Sequence, residues 1–221
     1  MESVSFDPNG IVAGDHPLTH KSITVLSGEG VLPRGTVMGQ ATIGAATSAA
    51  KSGGNTGNGT LTMDATTPVR AGAKVGVYQV RCIQAVTNNG IFQVTDPDGF
   101  SLGQFALAAG AATFSDDIKF AMADGATDFA VGDGFDITVA AGSGKWKKST
   151  TAAIDGSAVP RSILGEDVNA TSSDITAPAF FEGEFAQEKL TYGSGHSATT
   201  VEAAFRANNA GLYLRSIGAA A

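Results

Sequence analysis

The sequence predicts a mainly β fold built from short strands and many turns, and three observations support this. Glycine accounts for 29 of the 221 residues, close to twice the usual share of about 7 per cent. Apolar residues alternate with polar or small residues in several segments, which is typical of strands with one buried face. Asn-Gly and Asp-Gly dipeptides separate these segments and favour tight turns. Hydrophobic residues make up 43% of the chain, which is enough for a core.

Charge and cysteine content exclude several classes of protein. The chain has 14 Lys and Arg against 21 Asp and Glu, a net charge of −7, whereas a duplex nucleic-acid binder needs a cationic surface. The single cysteine, Cys82, cannot form an internal disulfide. No apolar run reaches the roughly 18 residues of a membrane span, and the first residues do not resemble a secretory signal. We therefore expect no nucleic-acid partner, no membrane partner and synthesis in the cytoplasm.

The amino-terminal part combines two strand candidates with two stretches that lack any period. Residues 1–21 are interrupted by Pro and Gly, which predicts an extended, mobile arm. Residues 22–26 and 36–43 are predicted strands. Residues 45–60 are small, polar and glycine-rich, which predicts a linker or domain boundary.

The middle of the chain carries the clearest strand pattern. Residues 75–86 and 91–96 flank a turn at 87–90, which predicts a β-hairpin. Two further segments place apolar side chains at every second position: Ile118, Phe120 and Met122, and Phe135, Ile137 and Val139. This pattern predicts an antiparallel β-sandwich or small barrel.

The carboxyl-terminal part begins with another polar stretch, at residues 143–156, which predicts a returning linker. Thr199 and Glu202 have the spacing of a capping box and predict the start of one short helix. Asn and Gly residues at 208–211 are expected to end that helix. Residues 212–214 are a candidate for a last short strand.

Motifs that could bind a nucleotide or a metal depart from the required spacing. Residues 142–145 (GSGK) resemble the end of a phosphate-binding loop, but the first Gly is missing and no helix follows. Residues 96–99 and 132–136 contain the Asp and Gly of a calcium loop without its closing Glu. His16 and His20 lack partners at ligand spacing. We therefore predict turns, a flexible linker and solvated histidines, with no cofactor; a weak calcium site in the middle segment stays open.

Candidate catalytic groups are equally isolated. Glu182 and Glu184 would share one face of a strand, and paired carboxylates can hydrolyse glycosides. Ser194 lies near His196 in sequence, but without the strand–turn–helix context that activates a nucleophile. Cys82 lies among apolar residues and is predicted to be a small core residue. We expect no enzyme, and His196 is predicted to be solvated.

Two separated segments resemble a known family. The first, residues 11–42, contains Gly-Asp before Pro17, the strand at 22–26 and the run RGTVMG at 34–39. The second, residues 162–193, contains the runs Ile-Leu, Glu-Asp-Val and Gly-Glu-Phe in that order. On an acidic, Gly- and Ala-rich background with one cysteine, these segments resemble the bacteriophage head decoration protein family.

The resemblance implies a domain organisation. In this family the two segments belong to one compact β-rich domain and lie closer together in sequence. We therefore expect an inserted β-domain at 59–147, which interrupts a decoration domain at 22–58 and 148–221. Residues 1–21 would form a capsid-binding arm that precedes both.

The resemblance also implies a function. Decoration proteins bind the major capsid protein as homotrimers on the outside of the expanded head, at local three-fold positions, and stabilise it against DNA pressure. The arm would add backbone hydrogen bonds to a capsid strand edge. The expected capsid-facing or trimer-facing residues are Gly14, Asp15, Pro17, Arg34, Gly35, Thr36 and Val37.

Other functions remain open from the sequence. The inserted domain could bind host-surface glycans or only add bulk and lateral contacts. Sugar sites usually present exposed aromatics, and Tyr78 and Trp146 are the Tyr and Trp residues between 59 and 147. The alternative function is a tail or baseplate structural protein with a carbohydrate-binding β-domain. A hydrolase would depend on Glu182 and Glu184 alone.

Overall fold

A computed structural model describes residues 10–70 and 72–218. Within them the chain forms sixteen strands, a short 3₁₀ helix and one α-helix, which confirms the predicted mainly β class. No helix in these residues is long and apolar enough to cross a membrane. The elements in chain order are β1 (Thr19–Val25), β2 (Gly30–Leu32), β3 (Val37–Gln40), β4 (Ile43–Ala50), β5 (Thr60–Met63), β6 (Gly76–Val86), β7 (Asn89–Thr95), β8 (Ser101–Leu107), β9 (Ala111–Ser115), β10 (Lys119–Ala123), β11 (Gly134–Ala141), β12 (Trp146–Lys148), β13 (Pro160–Leu164), β14 (Val168–Ala170), β15 (Ile175–Ala186), the 3₁₀ helix Gln187–Lys189, α1 (Ala198–Ala207) and β16 (Gly211–Arg215).

The chain divides into two compact units. Unit 1 contains the residues up to Thr42 and those from Gly144 onward, and unit 2 is Ile43–Ser143. These boundaries differ from the 59–147 that the family resemblance implies for the inserted domain. Unit 2 begins earlier because its first strand, β4, lies in a segment without an apolar pattern.

Both predicted linkers contain strands. Residues 45–50 belong to β4, which pairs along β11, so the linker predicted at 45–60 is wrong for its first part. The returning linker predicted at 143–156 is wrong for residues 146–148, which form β12 and pair with β3. The polar composition of these stretches reflects exposed strand faces rather than the absence of strands.

Unit 1 is built around a closed sheet. Its strand order is β1, β12, β3, β13 and β15, and β15 pairs back onto β1 over seven register positions. Strand β16 runs parallel to the last part of β15. Strands β2 and β14 form a separate two-stranded ribbon.

Successive residues of the closed sheet face two different hydrophobic cores. Met38 and Leu164 pack in one cluster with Trp146 and Val25. Their neighbours Val37 and Ile163 pack in a second cluster. Since side chains alternate along a strand, one core lies on each face of the sheet. The second core is completed by α1, β16 and the amino-terminal segment, through Ile11, Val201, Phe205, Leu212 and Leu214.

Unit 2 consists of two antiparallel sheets. One has the order β4-β11-β6-β7-β8 and the other β5-β10-β9. Phe105 of β8 contacts Phe114 and Phe120 of the smaller sheet, with ring centroids 5.7 Å and 5.6 Å apart. The predicted hairpin is present as β6 and β7. The alternating residues at 118–122 and 135–139 are buried, as the period of two predicts.

The helix begins differently from the prediction. Its N-cap is Ser197, whose side chain accepts a hydrogen bond from the Thr200 backbone N–H, while the Thr200 hydroxyl accepts one from the Ser197 N–H. Glu202 instead forms an ion pair with Arg206, one turn further on. The helix ends at Asn208, followed by Asn209 with a φ of 50°. The predicted last strand follows as β16.

Candidate functional site

The segment before β1 is attached to unit 1 by backbone hydrogen bonds. Val12 forms an antiparallel bridge with Phe185. The Ala13 N–H donates to the Glu184 carbonyl over 2.9 Å, and the Ala186 N–H donates to the Ile11 carbonyl over 2.8 Å. Ile11 is buried in the second core.

The arm predicted at 1–21 is therefore wrong for much of its length. Residues 19–21 belong to β1, and the Ile11 carbonyl and the Ala13 N–H already bond β15. These two groups are not available to a capsid strand, and the capsid-binding role of the arm stays a prediction. Residues 1–9 of the predicted arm lie outside the described residues.

The loop between this segment and β1, Gly14–Leu18, lies over strands β15 and β16. The His16 ring is 5.2 Å from the Tyr213 ring. A Cβ added at Gly183 would lie 2.5 Å from a Leu18 methyl carbon. Leu18 and Tyr213 nevertheless remain 44% and 36% exposed. The loop thus presents part of an apolar surface.

Three of the predicted contact residues belong to this loop. A Cβ added at Gly14 would lie 1.6 Å from Glu184 Oε2, so Gly14 allows the loop to approach that carboxylate closely. Asp15 and Pro17 are exposed. Asp15 has no hydrogen-bond or ion-pair partner among the residues that the structure describes. Both are therefore available to a partner.

Glu182 and Glu184 support the same loop and strand. The Thr19 hydroxyl donates to Glu182 Oε2 over 2.6 Å. Glu184 Oε1 lies 2.6 Å from an Arg215 guanidinium nitrogen, and this contact raises the pKa of Arg215. The two carboxylates lie on β15 on either side of Gly183, and each already has a structural partner. The hydrolase hypothesis gains nothing from this arrangement.

The remaining predicted contact residues form a turn that is fixed from both sides. The Gly35 N–H donates to the Leu164 carbonyl over 2.8 Å, and the Val37 N–H donates to the Thr191 carbonyl over 3.0 Å. The Thr36 hydroxyl donates to the Pro33 carbonyl over 2.6 Å. Gly35 has a φ of 85°, a conformation that favours glycine.

Only one residue of this turn is exposed. Gly35, Thr36 and Val37 are buried in unit 1, which leaves little of their side chains for a partner, and their role as capsid-facing or trimer-facing residues stays a prediction. Arg34 is exposed, and its guanidinium has no partner among the described residues. Its backbone N–H donates to Asp167 Oδ1 over 2.6 Å, which fixes the position from which the side chain extends.

The turn lies against Ile11, a buried residue of the bonded segment that precedes the loop. Its Cγ2 atom would lie 3.4 Å from a Cβ added at Gly35. We define the amino-terminal surface as Asp15, Pro17, Leu18 and Tyr213, and Arg34 is a separate exposed residue on the turn. Sequence reasoning missed Leu18 and Tyr213, because an isolated Leu and the central residue of a short strand give no signal of exposure.

The Asp side chains of the turns at 96–99 and 132–136 have partners within unit 2. Lys74 Nζ lies 2.5 Å from Asp96 Oδ2 and 2.6 Å from Asp98 Oδ2, in the place of a cation. This contact lowers the pKa of Asp96 and raises that of Lys74. Asp133 accepts three backbone N–H bonds, and Asp136 pairs with Arg81. Across 10–70 and 72–218, no three His, Cys, Asp or Glu side chains are grouped to hold a metal.

The remaining motifs also have structural explanations. His196 is half-buried rather than solvated, and its Nε2 lies 3.1 Å from both Ser149 Oγ and the Ala158 carbonyl. Its hydroxyl neighbour is therefore Ser149, not Ser194. Lys145 of the GSGK run forms an ion pair with Asp174 over 2.6 Å. Strand β12 follows this run directly, where a phosphate-binding loop needs a helix.

The aromatic residues considered for sugar binding are both buried. Tyr78 is fully buried in unit 2, and Trp146 belongs to unit 1, where it is 8% exposed. Phe100 is the exposed aromatic residue of unit 2 that the sequence analysis overlooked, at 69%, with Lys74 Nζ 5.7 Å from its ring centroid. The outer face of the smaller sheet forms a shallow groove of about 430 Å³, lined mainly by Ala and Thr: Thr60, Thr62, Ala111, Ala112, Thr113, Ala121, Met122 and Ala123.

Comparison with known proteins identifies one family. A family model described as bacteriophage lambda head decoration protein D matches residues 9–212. No curated protein matches the chain. Two crystal structures of Xanthomonas campestris FlgL match at 21% identity and a TM-score of 0.32, covering 52% of this chain and 34% or 33% of FlgL. The chain thus spans about a third of FlgL, and a similarity this low supports no conclusion.

Proposed function

Because the chain belongs to the family of bacteriophage lambda head decoration protein D, and so has a structural role on the phage capsid, we propose how it binds there. It binds the major capsid protein on the outer surface of the expanded head as homotrimers at local three-fold positions. It stabilises the shell against the pressure of the packaged DNA. Each contact can be weak, because repeated copies add avidity.

The family match carries this proposal, and the exposed residues of the amino-terminal surface and of the turn are the contact residues that we propose. Asp15 and Pro17 lie on a loop that contacts β15 and β16, and Arg34 extends from a turn that unit 1 holds on both sides. A contact surface that is already ordered loses little conformational freedom on binding. The exposed Leu18 and Tyr213 supply apolar area on the same amino-terminal surface as Asp15 and Pro17.

We propose that unit 2 is a surface-exposed module inserted into the decoration domain, and that it provides lateral contacts rather than glycan binding. Its groove on the smaller sheet has no aromatic side chain, and Tyr78 is buried. Ala and Thr side chains suit packing against another flat protein surface. Phe100 is the residue on which glycan adhesion would depend, and a glycan array probed with the full chain and with Phe100→Ala tests that alternative.

The decisive experiment mixes the purified protein with expanded, undecorated heads and images the particles by electron cryomicroscopy. We expect trimeric density at local three-fold positions on the outer surface. The same protein mixed with tails and baseplates is the matched control. Density on tails, or on neither particle, would contradict the proposal, and density on tails would favour a tail or baseplate role.

A further inference from the structure

A small pocket opens at one end of the closed sheet of unit 1. Its volume is about 220 Å³, and it is lined by Gln40, Trp146, Arg161, Phe181, Asn208 and Ala210. The strand register explains why these residues meet. Gln40 at the end of β3 pairs with Trp146 at the start of β12, and Pro160 at the start of β13 pairs with Gly39.

The aromatic rings of the pocket already have neighbours. Trp146 meets Phe181 edge to face, with centroids 5.4 Å apart and an interplanar angle of 87°. Lys21 Nζ lies 5.2 Å from the Phe181 centroid. A sugar ring would need an open aromatic face to stack on. These rings instead form an apolar wall beside a cation.

The polar side chains of the pocket can form further hydrogen bonds. Arg161 is exposed, and within the described chain its guanidinium has no acceptor. Gln40 Nε2 donates to the Gly144 carbonyl over 2.8 Å, and Asn208 Nδ2 donates to the Ala204 carbonyl over 2.7 Å. Both amide oxygens remain as acceptors. Arg161 makes the pocket locally positive in a chain of net charge −7, and it can pair with a carboxylate while the amide oxygens accept backbone N–H groups.

The size of the pocket suits a single side chain. Small-molecule sites usually occupy roughly 300–1,000 Å³, and this one is smaller. A carboxylate that enters it would pair with Arg161 against an apolar wall, where water screens the interaction less than at an open surface. Such a pocket is typical of an interface that receives one anchoring side chain.

Unit 1 itself carries matching carboxylates. Among its described residues, two acidic side chains have no partner, Asp15 and Glu166, and both are exposed. The other acidic side chains of the unit are hydrogen-bonded or ion-paired: Glu29, Asp155, Asp167, Asp174, Glu182, Glu184, Glu188 and Glu202.

We propose that the Arg161 pocket receives the carboxylate of Asp15 or Glu166 from a second copy of this chain. This inference rests on the homotrimer of the proposed function and gives it a contact. A pocket and a carboxylate at different places on one surface make a head-to-tail contact, and such a contact closes into a ring when the rotation between copies allows. Each copy then gives one carboxylate and receives one.

Charge reversal tests the pairing in the full-length protein. Sedimentation equilibrium measures the association constants of the wild type, Arg161→Glu, Asp15→Arg and Glu166→Arg. Lys189→Glu is the matched control, because Lys189 is also exposed and unpaired among the described residues but does not line the pocket. The protein has one tryptophan, which lies in the pocket, so its emission reports association independently. Far-UV circular dichroism verifies folding of each variant.

We expect Arg161→Glu to weaken association about 30-fold or more, as the loss of a desolvated charge pair does, with Lys189→Glu like the wild type. One of the two carboxylate reversals should have the same effect. Combining that reversal with Arg161→Glu should restore association and so identify the partner residue.

The proposal is overturned if Arg161→Glu associates like the wild type, if neither double reversal restores association, or if the wild type stays monomeric at every concentration. These outcomes are separate from the failure of the proposed function, which is measured by the binding of wild-type protein to heads.

Discussion

Replacement of the Asp133 carboxylate is expected to lower the stability of unit 2 strongly. It is 4% exposed, and each of its oxygens accepts backbone hydrogen bonds of 2.9 Å. Oδ1 binds the Thr56 N–H, and Oδ2 binds the N–H groups of Gly57 and Ala130. One side chain therefore joins the segment after β4 to the loop before β11. Its replacement leaves donors without an acceptor.

The expected loss in the free energy of unfolding depends on how exposed these three N–H donors are. Gly57 is buried, whereas Thr56 and Ala130 can reach water. Taking about 2 kcal/mol for the buried donor and about 1 for each of the others, Asp133→Ala should lower the free energy of unfolding by about 4 kcal/mol. Asp133→Asn keeps one acceptor oxygen and should lose about 2 kcal/mol.

The stabilisation that Asp133 provides should depend on pH. Burial alone raises the pKa of Asp133, but the three backbone hydrogen bonds and the nearby Lys51 outweigh it, so the pKa lies below its ordinary value. The folded state then binds the proton less readily than the unfolded state. The stabilisation is complete above the unfolded pKa of about 3.9 and is lost as the pH falls through the lower folded value. The difference between wild type and Asp133→Asn should shrink accordingly.

Urea unfolding followed by far-UV circular dichroism measures the free energies. Hydrogen exchange of the Thr56, Gly57 and Ala130 amides measures the local effect. Asp116→Asn removes an exposed charge from the same unit and serves as the control. The reasoning is refuted if Asp133→Asn is as stable as this control, or if the Gly57 amide keeps its protection.

Three further predictions concern other parts of the chain. Gly39→Ala should lower stability by about 3 kcal/mol in thermal unfolding, because the new Cβ would lie 2.0 Å from the Ser157 backbone carbonyl oxygen; an unchanged Tm would contradict this. Arg34→Glu should weaken binding to heads about tenfold without changing the Tm, and equal loss in Lys189→Glu would deny Arg34 a specific role. Burial raises the pKa of the Cys82 thiol, so a water-soluble disulfide reagent should modify it only in urea; rapid reaction of the folded protein would count against its burial.

The sequence predicted the strands that have one apolar and one polar face. It missed the strands whose two faces carry similar side chains. Residues 118–122 and 135–139 alternate strongly, and their apolar side chains are buried. Strand β4 contains only small side chains after its first residue, and it is held mainly by backbone bonds to β11. Hydrophobic periodicity cannot report such a strand. Strand β12 has three residues, too few to show any period.

The candidate contact residues come from the position of the family-like motifs, and the structure adds which of them are exposed. Gly14, Asp15 and Arg34 were predicted because two segments resemble a family. Nothing in the sequence distinguishes the exposed Arg34 from the buried Thr36, since both are polar residues of one turn. Their difference comes from Leu164 and Thr191, which bond the turn from distant parts of the chain.

The two crossings between the units lie side by side. Ile43 at the start of β4 pairs with Ala141 at the end of β11, and the Ala41 backbone bonds both Gly144 and Lys145 on the unit 1 side. The first and last strands of unit 2 are therefore adjacent, and the two ends of the unit are one strand spacing apart. Joining them to unit 1 costs little loop-closure entropy. A module whose two ends are adjacent strands could therefore replace unit 2 at this position without a change in the path of the unit 1 chain.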